Sequence, residues 1–326
     1  MRATAAALTL VLTLAAGAAA AQTLETLATT PAGPFLIEGV ARAADGSLVL
    51  SSVYTGRVYR VGPDGALTEL DRRVDHQGFY GLAADPPRNA LYAVSAPRPG
   101  VEPGWPPESG LDQLNLTTGR VEMLFIPGRQ APALGDVAVG PDGTVFVADS
   151  KAAKIFVRRS DGDLELFVQL PDGASPQGMA VSADGHWLVF SDYRTGLHRI
   201  DLSQQQTGPR TITAEAFAPL PAPEGSEMRG IDGLGRYGDA IIAVQNGTQT
   251  PRILRLTLNA DWSSVSDREV LIEGAPLSEP TTGFVEGDSF VFVSRSQWTD
   301  FGRDGQPTSP SPAPAVISRL ALTPAR

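Results

Sequence analysis

A carboxylate, a phenol, an amide and a second carboxylate recur at one place in a repeated phrase. Glu38, Tyr80, Gly135, Gln177, Asp232 and Thr282 each stand directly before a Gly or Asp: Gly39, Gly81, Asp136, Gly178, Gly233 and Gly283. Two or three apolar residues follow, then a turn, often built on Asp-Gly, and a hydrophobic strand. If the strands bearing these positions run along a common axis, the six positions form a ring at one depth. Glu38, Asp232 and the adjacent Asp136 then converge with the Gln177 amide on a narrow channel. Hard oxygen donors of this kind suit Ca²⁺ or a similar divalent ion. Without a cation such carboxylates repel one another and at least one pKa rises. The alternative is that Glu38 and Asp232 only hydrogen-bond strand ends.

The elements that must position these residues are legible as hairpins. The copies lie about 42 to 55 residues apart, a period that suits one four-stranded propeller blade. Arg57–Val61 and Ala66–Leu70 alternate apolar with polar across Gly62-Pro63-Asp64-Gly65, and Lys154–Val157 and Leu164–Val168 do so across Ser160-Asp161-Gly162. Period two broken by Asp-Gly marks antiparallel hairpins. The expected fold is all-β, a six-bladed propeller. The alternating segment Thr23–Thr29 is expected to complete the blade that the C-terminal strand, Ala315–Leu322, belongs to. Gln204–Arg210 reads as a polar connector, and Pro97–Glu108 and Trp298–Pro314 read as long loops on a rim, where binding residues concentrate.

Composition narrows the function classes. The 326 residues hold 36 Asp and Glu against 26 Lys and Arg, and no basic cluster exceeds the pairs Arg72-Arg73 and Arg158-Arg159. Nucleic acid and anionic membrane surfaces are therefore poor partners. Cysteine is absent, which removes thiolate nucleophiles, thiolate metal sites and redox motifs. Arg2, the apolar run Ala5–Ala16 and the Ala19-Ala20-Ala21 site read as a secretory signal peptide over residues 1–21. Residues 22–326 then form one exported domain, periplasmic or secreted, with no membrane anchor after cleavage.

Several enzyme signatures are missing: G-x-S-x-G, G-x-x-x-x-G-K and H-E-x-x-H do not occur. Gly233–Gly238 satisfies G-x-G-x-x-G, but the strand-like Ala240–Val244 follows where a dinucleotide site needs a helix; it reads as a turn. Of three histidines, His186 falls in a hairpin turn and reads as exposed, and His198 reads as an outer strand face. His76 leads into the second repeat and overlooks the channel if repeat entries face it.

The phrases Ile37-Glu38-Gly39-Val40, Gly135-Asp136-Val137 with Pro141-Asp142-Gly143, Pro176-Gln177-Gly178-Met179 and Ile231-Asp232-Gly233-Leu234 resemble the gluconolactonase and senescence-marker-protein family, to which paraoxonase and strictosidine-synthase-like propellers are related. That resemblance implies a central divalent metal, commonly Ca²⁺, held by a Glu, two Asn and an Asp, and water activation by the Asp for lactone or ester hydrolysis. Glu38 and Asp232 match; Gly135 and Gln177 replace the two Asn, with Asp136 retained, and Ala133 replaces a substrate-contacting Arg. The implied metal ligands are Glu38, Asp136, Gln177 and Asp232. Asp232 or His76 is the expected catalytic base, and Tyr80, Asn246 and Trp298 the expected substrate contacts. The expected function is an exported metal-dependent hydrolase of lactones or related esters with its small-molecule substrate in the channel. The alternative is a non-catalytic exported propeller that binds a small molecule, glycan or protein, suggested by Gly135, Ala133 and the loops with Trp105 and Trp298.

Overall fold

The computed structural model describes residues 24–73, 76–101, 109–126, 132–160, 162–204 and 208–322. The leader and Trp105 lie outside the described residues. Six antiparallel sheets follow one another along the chain and form a six-bladed β-propeller. Blade 1 runs Ile37–Arg42, Leu48–Ser52, Arg57–Val61 and Leu67–Arg72 from the axis outward. The innermost strands of blades 2 to 6 are Gln77–Asp85, Leu134–Val139, Pro176–Val181, Ile231–Tyr237 and Gly283–Glu286.

Each blade grades in polarity from axis to rim, and that gradient explains why these segments are strands. The second strands, such as Leu48–Ser52 and Val145–Asp149, are buried on both faces, because neighbouring blades cover them. They are therefore runs of apolar residues rather than alternating ones. The fourth strand of blade 1, Leu67–Arg72, lies at the rim, with Leu67 and Leu70 half-buried and Thr68, Glu69 and Arg72 exposed. The core is a set of sandwiches between adjacent blades. Phe146 and Ile155 of blade 3, for example, pack with Met179, Leu188 and Phe190 of blade 4.

The Asp-Gly turns share one construction. Asp45, Asp64, Asp142 and Asp184 each accept the backbone N–H two residues on, at 2.9–3.0 Å. The intervening Gly46, Gly65, Gly143 and Gly185 have φ of 85°, 79°, 88° and 74°, a left-handed conformation that suits glycine.

The ring closes as the alternation at the start of the chain predicts. Leu24–Thr29 pairs antiparallel with Val316–Ala321, so the N-terminal strand supplies the outer edge of blade 6. Two details differ from the sequence reading. Blade 4 has three strands among the described residues, and Arg210, read as the end of a connector, instead joins Thr211 in a short parallel strand at the edge of blade 3. Gly233-Leu234-Gly235-Arg236-Tyr237 is not a turn but the innermost strand of blade 5, and the turn begins at Gly238 (φ 59°).

Candidate functional site

Glycine after each ring position has a packing reason. A Cβ on Gly39 would lie 2.6 Å from the Tyr80 carbonyl oxygen of the next blade. One on Gly178 would stand 2.2 Å from the Asp232 carbonyl oxygen, and one on Gly233 2.7 Å from Thr282 Cα. Inner strands approach so closely near the axis that no side chain fits between them. Blade 3 departs from this rule, with Asp136 in the glycine slot. Its carboxylate bonds the backbone N–H groups of Val137 and, across the gap, Met179 of blade 4.

Five of the six positions fall at β-bulges. Register shifts fall between Ile37 and Gly39, Phe79 and Leu82, Leu134 and Val137, Pro176 and Met179, and Ile231 and Leu234. A bulge re-aims side chains that strict alternation would place elsewhere. Hydroxyls of the preceding blade then fix the bulged backbone. Thr281 and Thr282 donate to the Glu38 carbonyl at 2.7 and 3.0 Å, Ser191 donates to the Asp232 carbonyl at 3.0 Å, and Ser51 donates to the Tyr80 carbonyl.

Six of the eight sequence-predicted site residues line one cavity of about 210 Å³: Glu38, Tyr80, Asp136, Gln177, Asp232 and Trp298. Burial is the first cause of an acid shift in all three carboxyls. It pushes Asp136 up to about 7, with the Asp232 charge adding and the Val137 and Met179 N–H groups opposing. It pushes Asp232 up to about 6 against the Asn246 hydrogen bond. It also raises Glu38 well above the carboxylate range, with the charge of Asp232 next, the Trp298 hydrogen bond opposing, and Asp136 and Glu279 adding.

One oxygen of each flanking carboxylate is tied. Glu38 Oε2 accepts the Trp298 indole N–H, and Asp232 Oδ2 accepts Asn246 Nδ2 at 2.7 Å. Gln177 gives its Nε2 to Ser175 at 3.1 Å, and its Oε1 lies 3.6 Å from where a Cβ at Gly135 would be. The vacant side chain at Gly135 thus leaves room beside the amide oxygen. The donors are all oxygen, as a hard cation requires. Among the described residues, however, no three His, Cys, Asp or Glu side chains are grouped so as to hold a metal ion. An ion here needs the Gln177 amide and water to complete its shell.

Two predicted residues are placed differently. Asn246 does not line the cavity; it stands behind Asp232, donating also to the Pro280 carbonyl at 2.9 Å and accepting Tyr193 OH at 2.9 Å. His76 is not among the lining residues either, and its carbonyl accepts the Arg98 N–H. His186 is exposed and pairs with Asp184 at 3.2 Å. His198 is buried rather than on an outer face: it stacks on Phe217 at 4.0 Å and beside Phe190, and burial depresses it to about 4.

The sequence reading missed Tyr193 and Glu279. Tyr193, held at about 12 by burial and then by Asp232, feels the charges of Glu279 and Glu38 as well. Glu279 is half-buried, has φ of 55°, and carries a buried Oε2 without a hydrogen bond. Aligning the turns after each second strand would have drawn attention to Tyr193, since Tyr54-Thr55-Gly56 and Tyr193-Arg194-Thr195-Gly196 are similar. Glu279 has no such signal. The long loops of blades 2 and 6 meet: a Cβ on Gly305 would fall 1.9 Å from the Pro99 carbonyl oxygen, and Phe301 packs at a tilt against Tyr54 of blade 1, centroids 5.2 Å apart.

The architecture has many solved counterparts. A PQQ-bound aldose sugar dehydrogenase from Streptomyces coelicolor is 18% identical, with a TM-score of 0.62 over 92% of this chain and 98% of that one. A candidate gluconolactonase is 18% identical, with a TM-score of 0.58 over 93% of each chain. A virginiamycin B lyase from Staphylococcus aureus is 15% identical, with a TM-score of 0.53 over 92% of this chain and 99% of that one. The likeness is one of fold. The sequence matches no protein-family model and no curated protein.

Proposed function

We propose that the protein is a hydrolase of small lactones or related esters, acting in the carboxylate cavity at the channel mouth. The observation that carries this reading is the convergence of Glu38, Asp136 and Asp232, all desolvated and shifted upward, on one small cavity. Carboxyls moved toward neutrality by burial are suited to proton transfer near physiological pH. Glu38, Asp232 and the Gln177 amide oxygen, with Asp136 close by, would hold a hard divalent ion such as Ca²⁺. When bound, that ion supplies Lewis-acid polarisation of the ester carbonyl.

The chain's own residues do the rest. Asp232, with Oδ2 anchored by Asn246, takes a proton from the attacking water and returns it to the departing alkoxide, so its charge is restored at the end of the cycle. Trp298 holds Glu38 in orientation and favours its ionised form. Tyr80, its hydroxyl committed to the Pro97 carbonyl at 2.9 Å, presents its ring to the substrate. The leader pattern of residues 1–21 supports export of the mature chain, which N-terminal sequencing of the cell-derived protein would test.

A second reading is that the cavity binds a small molecule without turnover. It is favoured by Gly135, which offers no ligand, and by the lack of a three-carboxylate metal group among the described residues. The fold also hosts sugar dehydrogenases, so oxidation is a third outcome to be assayed. Metal analysis of the purified protein, with turnover of a lactone panel, separates these readings. Hydrolysis that rises with Ca²⁺ and disappears in Asp232→Ala supports the hydrolase. Tight binding without turnover supports the second reading, and dye reduction by an aldose in the presence of added PQQ supports the third.

A further inference from the structure

The carboxylate cavity has no countercharge of its own. Glu38, Asp136 and Asp232 line it, and among the described residues no Lys, Arg or His does. Two arginines of the neighbouring loops are turned to other partners. Arg98 donates to the Tyr54 carbonyl and lies over the Tyr54 ring, and Arg295 pairs with Asp300 at 2.7 Å. Even with a divalent ion among them, carboxylates are in excess at this mouth, and buried negative charge is unfavourable until something positive meets it.

Glu279 extends that excess beside the cavity. Its neighbours in sequence serve the site: the Pro280 carbonyl accepts Asn246, and the Thr281 and Thr282 hydroxyls hold the Glu38 carbonyl. Its own carbonyl accepts the Ser296 hydroxyl at 2.8 Å, and its carboxylate accepts the Thr299 N–H, which seats it against the turn that carries Trp298. Glu38 and Tyr193 both feel its charge. Yet its Oε2 is buried with no hydrogen-bond partner among the described residues, on a backbone held at φ 55°. An unmet buried acceptor on a left-handed non-glycine residue marks a group held ready for a ligand. The acceptor calls for a donor, and the surplus of negative charge calls for a positive one. Tyr80 and Trp298 have their hydroxyl and indole N–H committed to Pro97 and Glu38, so what they offer is ring, which suits the same charge.

We propose that the ligand selected at this mouth carries an ammonium group next to its lactone or ester carbonyl, bound by Glu279 while the carbonyl reaches Asp232. In the hydrolase reading, on which the role of the carbonyl rests, that ligand is the substrate and Glu279 sets specificity for it. A neutral hydroxyl would satisfy the Glu279 oxygen but leave the charge unmet, and a carboxylate would add to it.

Unreactive lactams separate recognition from turnover. Calorimetry of the full mature chain at pH 6 is run at saturating Ca²⁺, so that an amine standing in the place of the metal is displaced. There 3-aminopyrrolidin-2-one should bind at least tenfold more tightly than pyrrolidin-2-one or its 3-hydroxy derivative, as a charge-assisted hydrogen bond implies. The isosteric 2-oxopyrrolidine-3-carboxylate should bind weakest. In turnover, kcat/KM for α-amino-γ-butyrolactone should exceed that for γ-butyrolactone by a like factor, carried in KM. Glu279→Gln should bring the ammonium-to-neutral ratio below about threefold, whereas loss of a merely structural glutamate would weaken all the lactams alike and keep the ratio. Glu279→Lys should favour the carboxylate. A ratio near one in the wild type, or an ammonium preference that survives both substitutions, would overturn the proposal. Ammonium binding without hydrolysis of any lactone would uphold the ligand class and overturn the hydrolase reading instead.

Discussion

Replacing Asp136 by Asn should make the stability of the protein less sensitive to pH, and the size of the change follows from where the carboxyl sits. Asp136 is held at about 7 by burial, against 3.8 for an unperturbed Asp. Between those values the folded protein keeps a proton that the unfolded chain has released. Stability contributed by the neutral carboxyl is therefore complete below pH 4 and is lost as pH rises toward 7. Each pH unit in that window costs about 1.4 kcal/mol, so the loss from pH 5 to pH 8 is about 3 kcal/mol. For a chain of this size that is roughly 5 °C in Tm. Other groups titrate in the same range. His198, at about 4 in the fold, adds stability as pH rises to its unfolded value, and Asp112, held at about 8, removes it. Both are common to the two proteins and cancel in the difference. Asp232, held at about 6, and Glu38 instead share the cavity with Asp136, and loss of the Asp136 charge lowers Glu38 and adds to the variant's gain. Asn keeps the shape and an oxygen that can accept the Met179 N–H. Calorimetry of wild type and Asp136→Asn in chelator, at pH 5 and pH 8, should show the variant gaining on wild type by at least that amount. A gap that stays constant between the two pH values would refute the claim that burial outweighs the Val137 and Met179 hydrogen bonds at Asp136.

Three further outcomes are expected. Tyr193→Phe removes the hydrogen bond that steadies Asn246, and should lower kcat for lactone hydrolysis about tenfold with KM little changed; a purely structural tyrosine would instead lower Tm and leave kcat alone. Gly178→Ala forces a methyl into the Asp232 carbonyl and should destabilise the fold by at least about 1–3 kcal/mol, whereas Gly65→Ala, which meets open space and bears only the left-handed φ, should cost about 1 kcal/mol; thermal melts compare the two directly. Deleting the chain through Thr29 leaves Val316–Ala321 as an open edge, and should lower Tm and broaden the transition, as circular dichroism at a β-sheet wavelength would report.

Local chemistry in the sequence was enough to determine the repeat, its strands and its turns. Asp-Gly dictates a left-handed turn wherever it falls between alternating segments, and doubly covered strands must be continuously apolar, so the blades were legible residue by residue. The ring of site positions was legible too, because a glycine follows all of them but Gly135, and at Gly39, Gly81, Gly178 and Gly233 the near contact of inner strands requires it. Tertiary structure alone decided the rest. Asn246 stands behind Asp232 because the bulged register that pairs Ile231 with Gln245 turns the two side chains toward each other rather than both into the channel. Glu279 reaches the same field from a turn with no repeat signature, and His76 lies outside the cavity although its strand leads there. The blade-4 edge went to blade 3 because pairing between neighbouring edges depends on which backbone groups lie adjacent in space, which no local pattern encodes. Most of all, the upward shifts of Glu38, Asp136 and Asp232 come from shared burial, a property of the closed ring and not of any one blade.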